Sequence, residues 1–301
     1  MGDGTNDVDR LAGRFEEHRG HLRAVAYRML GSLPEAEDAV QETWLKLGRT
    51  DASAITNLGG WLTTVVGRVC LDMLRSRSAR REQPIDDTYV PDPVIRPLPH
   101  VDPEQEVLRA DSVGLALLVV LETLEPAERL AFVLHDMFAV PFDDIAPIVE
   151  RSSAATRQLA SRARRRVQGA TPSADPDPGR HRAVLEAFMA ASRAGDFDAL
   201  LTLLHPDVVL RADSGALVRG AAASKVVHGA KQVAEQALLF RQLAPLARLA
   251  LVNGSPGLVT APEGQLLSVM AVDVRDGRIT GMYILSDPER LARLGFAAQE
   301  A

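Results

Sequence analysis

The side chains best suited to chemistry are polar residues at helical spacing in the stretch 153–166. Arginine and glutamine can each form two parallel hydrogen bonds with the edge of a base pair, and hydroxyl groups and further arginines suit phosphate. The residues that could contact a nucleic acid in this way are Ser153, Thr156, Arg157, Gln158, Ser161, Arg162 and Arg165. Arg162 and Arg164 could instead be salt-bridge partners inside their own domain.

These side chains need a helix-turn-helix to position them. The sequence predicts a first helix from Phe142, a tight turn at Glu150–Ser152, and a second helix that Ser152 can cap. The apolar face that would pack inward consists of Ile145, Ile148, Val149, Leu159, Ala163 and Val167. The pattern therefore predicts a cationic recognition helix, and it points to DNA as a partner.

The composition indicates folded domains rather than a generally basic DNA-binding protein. The 301 residues carry a formal net charge of −6 and are 46% hydrophobic, which suits two or three domains. Five arginines nevertheless lie in 58–82 and six in 150–170. Such local patches matter because screening limits the distance over which an exposed charge acts to about 8–10 Å. The single cysteine, Cys70, excludes an internal disulfide and is expected to be buried. The sequence shows no leader and no long apolar run. The chain is therefore expected to be cytoplasmic and not to associate with a membrane.

Changes in composition divide the chain into five segments. Residues 8–82 are helical in pattern, and 83–103 form a Pro-rich extended linker. Residues 104–170 return to helical pattern and end with the helix-turn-helix, and 171–179 form a second linker. Residues 180–296 predict an α+β domain with helices and a curved antiparallel sheet. Its expected strands are 208–212, 246–252, 258–260, 266–274 and 279–285, and its expected helices are 182–194, 197–204 and 230–243.

Three segments carry a resemblance to a known family. YRMLGSLPEAEDAVQETWLKL at 27–47 and GWLTTVVGRVCLDMLR at 60–75 closely resemble region 2 of bacterial extracytoplasmic-function sigma factors, in the sigma-70 family. LEPAERLAFVLH at 124–135, with the helix-turn-helix behind it, resembles region 4. Two matches in the right order make the resemblance specific. It implies two all-α domains, a region 2 bundle and a region 4 helix-turn-helix.

The residues after region 4 resemble a further domain. Residues 182–194 and the following 195–208 look like the start of a SnoaL-like, NTF2-like cone. The combination is similar to the sigma subgroup in which such an extension replaces a separate anti-sigma factor as regulator. Its short motifs correspond here to 89–94, 213–216 and 287–291. The resemblance implies contact of this domain with region 2 and the linker, through Tyr89, Pro91, Pro93, Asp213, Gly215, Asp287 and Pro288.

The resemblance also assigns partners to the two helical domains. Region 2 would dock on the β′ clamp helices of core RNA polymerase through Glu35, Asp38, Gln41, Glu42 and Leu45, although these residues could equally form a solvated helix face. Region 4 would meet the β flap and read the −35 promoter element with the recognition-helix residues. Residues implied at the −10 element are Asn57, Arg68, Arg75, Arg77, Arg80 and Arg81. The sequence thus predicts a sigma factor that binds core polymerase and promoter DNA, with its C-terminal domain modulating activity.

Two other classes of function stay open at this point. A one-component transcription regulator would bind an operator as a dimer and sense a small-molecule ligand through its C-terminal domain, but it would need no polymerase-docking helix. An enzyme is disfavoured, because the polar groups of the C-terminal part show no metal-ligand or catalytic spacing. Those groups are His205, Asp207, Asp213, Asp273 and Tyr283. No cofactor and no metal are expected.

Overall fold

The structure is a computed structural model that falls into two compact units. It describes residues 3–51, 55–79, 87–97, 113–170, 177–215 and 218–294. Unit 1 comprises Met1–Pro84 and Leu121–Gly169, and unit 2 comprises Ile85–Val120 and Ala170–Ala301. Within the described ranges, no helix is both long enough and apolar enough to cross a membrane.

The first part of unit 1 is a bundle of three helices, α1 (Asp3–Leu30), α2 (Leu33–Leu47) and α3 (Leu58–Ala79). Gly31 adopts a φ of 67°, which lets the chain leave α1 in a left-handed turn. Pro34 stands in the first turn of α2, where its missing N–H is harmless. Residues 8–82 are mostly helical over their described part, as predicted, and the apolar side chains of the three helices meet in a core that includes Leu22, Val25, Met29, Leu30, Ala39, Leu47, Leu62, Val66 and Leu71.

The second part of unit 1 ends in the predicted helix-turn-helix. Its helices are α4 (Leu115–Glu122, which begins in unit 2), α5 (Pro126–Phe132), α6 (Phe142–Val149) and α7 (Ser153–Ala170), with a π-helical turn at Val133–Met137. Glu150 ends α6 in the left-handed conformation with a φ of 57°. The Ser152 hydroxyl accepts a hydrogen bond of 3.2 Å from the Ala155 N–H. The tight turn and the cap predicted from the sequence are both present.

The buried face of α7 only partly follows the prediction. Of the three residues expected to pack inward, only Ala163 is fully buried, whereas Leu159 and Val167 are half-buried. The fully buried face consists of Thr156, Ala160 and Ala163. Spacings of four and three residues keep these side chains on one face of the helix. The buried face of α7 is thus formed by small side chains, and the larger Leu159 lies at its edge.

The two parts of unit 1 pack together around a buried ion pair. Arg129 on α5 is 2% exposed, and its Nη1 donates to Glu122 Oε1 and to the Met29 carbonyl, each at 2.8 Å. Arg129 Nε and Glu122 Oε2 have no hydrogen-bond partner among the described residues. A Cβ at Gly67 of α3 would lie 3.1 Å from Leu134 Cδ1. Glycine at this position therefore permits α3 to lie close to Leu134, just beyond α5.

Unit 2 is a seven-stranded mixed sheet with helices. The strands are β1 (Ile95–Arg96), β2 (Leu204–Asp213), β3 (Lys225–His228), β4 (Ala247–Val252), β5 (Ser255–Thr260), β6 (Ser268–Arg275) and β7 (Arg278–Leu285). The helices are α8 (Pro178–Ala194), α9 (Phe197–Leu203), α10 (Ala230–Leu239) and α11 (Pro288–Arg293). The order in the sheet is β1-β4-β5-β6-β7-β2-β3. Its core lies between the sheet and α8, α9 and α10, and includes Leu185, Phe188, Leu200, Val208, Val233, Leu258, Val272 and Met282.

Three details of unit 2 correct the sequence prediction. The sheet is not purely antiparallel, because β2 and β7 pair in parallel. Strand β2 begins at Leu204 rather than at 208, where the strand was expected, and its register with β7 shifts between Leu204 and Val209. The prediction missed β3 and β1, which have four and two residues and so carry too little alternation to be detected.

The predicted extended linker is a structural part of unit 2 over its described residues, 87–97. Val90, Pro91, Asp92 and Pro93 are all buried. The next residues form β1 at the edge of the sheet, where Ile95 pairs with Val252 of β4. Proline has no N–H to donate to a neighbouring strand. A Pro-rich segment therefore suits the edge of a sheet, or a path held by hydrogen bonds from side chains, better than a central strand. The sequence pattern predicted an extended path but could not reveal this burial or the short strand β1.

Candidate functional site

The recognition-helix residues of α7 mostly lie at the surface of unit 1. Arg157, Gln158 and Arg165 are exposed, and Ser161 is half-buried. The Arg157 guanidinium lies 5.2 Å from the centre of the Phe142 ring, a contact that orients it without using its donors. These side chains are therefore able to present hydrogen-bond donors to a nucleic acid.

Thr156 is a correction to the predicted DNA-contacting set. It is fully buried, and its hydroxyl donates to the Ser152 carbonyl at 3.0 Å. Thr156 lies one turn before the buried Ala160 on the same face of α7, which gives it a packing role instead. Ser153 lies in the same turn and is half-buried, and its hydroxyl donates to Asp143 of α6. That bond ties the two helices of the helix-turn-helix together.

The remaining arginines of α7 form ion pairs within the domain, which was the alternative for Arg162 and Arg164. Arg162 Nε and Arg166 Nη1 donate to the two carboxylate oxygens of Glu128 at 2.8 and 3.0 Å. Arg164 pairs with Asp136. Glu128 is 6% exposed, whereas the side chains of Arg162 and Arg166 are 52% and 54% exposed. Each guanidinium thus keeps part of its surface available for phosphate.

The predicted −10 residues follow α3 from its first turn to its last. Asn57 precedes α3 and caps it, since its Oδ1 accepts from the Gly60 N–H at 3.0 Å. Arg68 and Arg75 are exposed, and Arg68 Nη2 donates to the Pro147 carbonyl of α6 at 3.3 Å. Arg77 pairs with Glu35 of α2. The other two predicted residues, Arg80 and Arg81, lie outside the described residues.

The predicted polymerase-docking residues form one face of α2. Asp38, Gln41 and Leu45 are exposed, and Leu45 keeps 48% of its surface accessible although it is apolar. Glu42 pairs with Lys46 at 3.3 Å, one turn further along the helix. Spacings of three and four residues along α2 keep this face continuous and mostly acidic. Such a face suits a basic, partly apolar partner surface.

The three predicted regulatory motifs come together in unit 2 around one arginine, Arg290 of α11. Its Nε donates to Asp92 Oδ1 at 2.9 Å, its Nη1 to Asp213 Oδ2 at 2.7 Å, and its Nη2 to the Val90 carbonyl at 2.6 Å. The guanidinium also lies 4.9 Å from the centre of the Tyr89 ring. One side chain thus contacts the 89–94 segment and the end of β2, and we call this set of contacts the Arg290 clamp.

The charge of Arg290 is well compensated. Burial disfavours the charged form of the Arg290 guanidinium. The neighbouring Tyr89, Asp92 and Asp213 outweigh this effect and raise the pKa of Arg290 above its ordinary value. Asp213 Oδ2 also accepts from the Val90 N–H at 3.1 Å. The clamp therefore satisfies both the donors and the acceptors that the 89–94 segment brings into the domain.

The other predicted regulatory residues shape the clamp. Asp287 caps α11, accepting from the Glu289 N–H at 2.9 Å and from the Arg290 N–H at 3.3 Å, and Pro288 occupies the first turn. Gly215 has a φ of 77°, and a Cβ there would lie 2.6 Å from Asp287 Oδ2. Both observations favour glycine at this position.

Two family models match the helical parts of the chain. Residues 14–80 match the family Sigma-70 region 2, and residues 114–167 match the family Sigma-70, region 4. The chain is 42% identical over 290 residues to ECF RNA polymerase sigma factor SigJ of Mycobacterium tuberculosis, and the match covers 92% of this chain and 91% of that protein. The chain belongs to the extracytoplasmic-function family of RNA polymerase sigma factors. The relatives are transcription initiation factors, and the predicted family is confirmed.

Further relatives support the same conclusion for this sigma factor. It is 36% identical to a protein named Probable ECF RNA polymerase sigma factor SigI of Mycobacterium tuberculosis, covering 94% of this chain and 95% of that one. The crystal structure of Mycobacterium tuberculosis SigJ superposes with a TM-score of 0.74 at 38% identity, covering 93% of this chain and 98% of that chain. Since these matches extend through unit 2, the predicted fold class of two helical domains and an α+β domain is confirmed.

Two residues of the sigma factor that matter to the clamp were absent from the predicted site. Arg290 and Asp92 lie inside the motifs recognised in the sequence, yet neither was assigned a role. An arginine and an aspartate 198 positions apart carry no sign of pairing in a single sequence. The signal that could have found them is the presence of opposite charges in two motifs expected to meet.

Buried titratable groups occur elsewhere in the sigma factor. The Tyr283 hydroxyl donates to Asp273 Oδ2 at 3.0 Å, and burial raises the pKa of Asp273 to about 6 despite this bond. Burial likewise raises the pKa of the Cys70 thiol, which is fully buried as predicted. No group of three or more His, Cys, Asp or Glu side chains suited to a metal ion is found within the described part of the chain.

Proposed function

We propose that this sigma factor docks on core RNA polymerase with the exposed face of α2 and reads two promoter elements with α3 and α7. The acidic and apolar character of the α2 face supports the first contact, which would be made with the β′ clamp helices. Asp38, Gln41 and Leu45 are the exposed members of that face. Region 4 would meet the β flap.

The distribution of charge supports two weak DNA contacts rather than one strong one. The chain carries a net charge of −6, so its arginines act locally. Exposed Arg68 and Arg75 on α3 would serve the −10 element, and exposed Arg157 and Gln158 on α7 would serve the −35 element. Held together on polymerase, each contact raises the effective concentration of the other. The single observation that carries this proposal is the exposed arginine and glutamine surface of α7.

Transcription with purified core polymerase tests the −10 contact of α3 and the −35 contact of α7 separately. Arg157→Ala should change promoter choice at one position of the −35 element, because a bidentate arginine contributes about 1–3 kcal/mol of discrimination. Arg75→Ala should weaken all promoters alike, and it should reduce the salt slope of binding by about 0.9 if Arg75 neutralises one phosphate.

Arg275→Ala is the matched control for both variants. Its side chain is 45% exposed in the C-terminal domain, where its contact with the neighbouring Asp276 is a long one of 4.0 Å. Transcription by this variant should equal that of the unchanged chain. Unaltered promoter choice in Arg157→Ala would remove α7 from the −35 role.

We further propose that the C-terminal domain regulates initiation through the Arg290 clamp. The clamp is supported by hydrogen bonds from Arg290 to Asp92 and Val90, which belong to the segment between regions 2 and 4. By fixing this segment, the domain would limit the distance that the linker can span and so control how the α3 and α7 contacts cooperate. Contact of the domain with region 2 and a small-molecule ligand within it stay predictions. Arg290→Met should lower promoter output without abolishing polymerase binding.

A further inference from the structure

A second buried side chain of unit 2, Asn253, holds two remote parts of the chain at once. It lies in the turn between β4 and β5 and is 5% exposed. Its backbone N–H donates to the Val94 carbonyl at 2.8 Å, and its Oδ1 accepts from the Val94 N–H at 2.9 Å. Its Nδ2 donates to the Val113 carbonyl at 3.0 Å. One amide group therefore ties together the two residues that flank 95–112.

These two attachment points bracket the passage into region 4. Val94 ends the segment held by the Arg290 clamp, whose last buried residue is Pro93. Val113 directly precedes Gly114, whose carbonyl accepts from the Leu117 N–H at 3.1 Å in the first turn of α4. An untied flexible chain of this length would have an end-to-end distance of about 25 Å with wide variation. The Asn253 amide replaces that variation with one fixed separation.

The turn itself does not explain these contacts. Asn253 and Gly254 have φ values of 50° and 76°, as a two-residue type I′ turn requires, and aspartate or glycine would satisfy that geometry at the first position. The neighbouring hairpin between β6 and β7 has Asp276 and Gly277 at the same two positions, with φ values of 51° and 74°. The Asp276 side chain is 95% exposed. A turn of this kind therefore forms without burying its first side chain.

We propose that Asn253 is a positioning residue of the sigma factor, which fixes where region 4 begins relative to the clamped linker. Through that anchor it sets the spacing between the −10 and −35 elements that the protein accepts. The inference rests on the proposed function for its consequence at promoters, but its structural part stands on the three hydrogen bonds of Asn253.

Two substitutions in the full-length chain separate the contacts. Asn253→Asp keeps the turn and the acceptor for the Val94 N–H, but it removes the donor to the Val113 carbonyl. Asn253→Gly keeps the turn and removes both side-chain contacts. Asp276→Gly is the matched control, because it makes the same kind of change at an equivalent turn whose side chain is exposed.

Amide hydrogen exchange measures the anchor without polymerase or DNA. In Asn253→Asp the Leu117 amide should exchange at least tenfold faster while the Val94 amide stays protected. In Asn253→Gly both amides should exchange faster, and in Asp276→Gly neither should change. Unchanged exchange at Leu117 in both Asn253 variants would overturn the proposal, whatever their transcription.

The dependence of transcription on promoter spacing measures the consequence. A purely structural role of Asn253 would leave that dependence unchanged. Templates whose −10 to −35 spacing differs by single base pairs should give a sharp optimum with the unchanged chain and the control. Both Asn253 variants should give a flatter profile and a lower maximum. An equally sharp optimum in both variants would also overturn the proposal. Absence of transcription from every template by the unchanged chain would instead contradict the proposed function, and the exchange experiment would still decide the role of Asn253.

Discussion

Replacing Arg290 by methionine is expected to release the 89–94 segment from the C-terminal domain. The substitution leaves Asp92 and Asp213, whose side chains are 7% and 10% exposed, without the cation that lies between them. Removing one partner of a buried ion pair costs about 3–5 kcal/mol. Since about 1.4 kcal/mol corresponds to a factor of ten, the clamp should open roughly 100 to 4,000 times more often.

Exchange at the Val90 amide measures this opening directly. That N–H donates to Asp213 Oδ2 at 3.1 Å, so it exchanges when the clamp opens. Its exchange should accelerate by roughly the same 100- to 4,000-fold in Arg290→Met, and by less in Arg290→Lys, which keeps the charge but not the planar geometry. Amides between β6 and β7 should keep their protection, which would show that the sheet is intact.

Arg293→Met provides the matched control, since Arg293 is an exposed arginine of the same helix, α11. It should leave exchange at Val90 unchanged. Equal exchange at Val90 in Arg290→Met, Arg293→Met and the unchanged chain would refute the reasoning. The bonds of Arg290 would then contribute nothing to holding the segment in place.

Three further predictions concern stability. Because burial raises the pKa of Asp273 to about 6 from 3.8, its contribution to stability is complete below about pH 4 and is lost as the pH rises through 6. Asp273→Asn should raise the free energy of unfolding near pH 8 by up to about 3 kcal/mol and change little near pH 4, measured by urea denaturation. Arg129→Met should lower it by about 3–5 kcal/mol, and adding Glu122→Leu should restore most of the loss. Gly67→Leu should lower the melting temperature by overpacking, which costs about 1–3 kcal/mol, whereas Gly20→Leu, on an open face of α1, should not.

Each of these predictions has an outcome that contradicts it. A pH profile of stability with the same slope in Asp273→Asn would show that this carboxyl is not the group that keeps its proton. If the double variant of Arg129 and Glu122 is as unstable as Arg129→Met alone, the unpaired Glu122 is not the cause. If Gly67→Leu melts at the temperature of Gly20→Leu, Leu134 does not constrain Gly67.

Local patterns predicted the helical domains well because their signals lie within a few residues. The turn at Glu150 and the cap at Ser152 both follow from neighbouring residue types. The error at Thr156 has a simple cause. A short alanine-rich stretch allows two helical phases, and the sequence pattern favoured the one that buries Leu159.

A single sequence could not show which remote residues are in contact. The resemblance indicated that the 89–94 segment matters, but not that Arg290, about 200 positions later, would hold it. Likewise Asn253 looks like an ordinary turn residue, and its bonds to Val94 and Val113 exist only in the folded domain. Short strands such as β1 depend on a partner strand for their existence, so they leave no periodic pattern.

Transcription by purified core polymerase tests most directly the claim that the clamped linker governs initiation by this sigma factor. The full-length chain should start transcripts at a promoter with both elements, and Arg290→Met should bind polymerase equally well but give at least tenfold fewer transcripts. Arg293→Met should match the unchanged chain. Equal transcript yields from Arg290→Met and the unchanged chain would contradict the account.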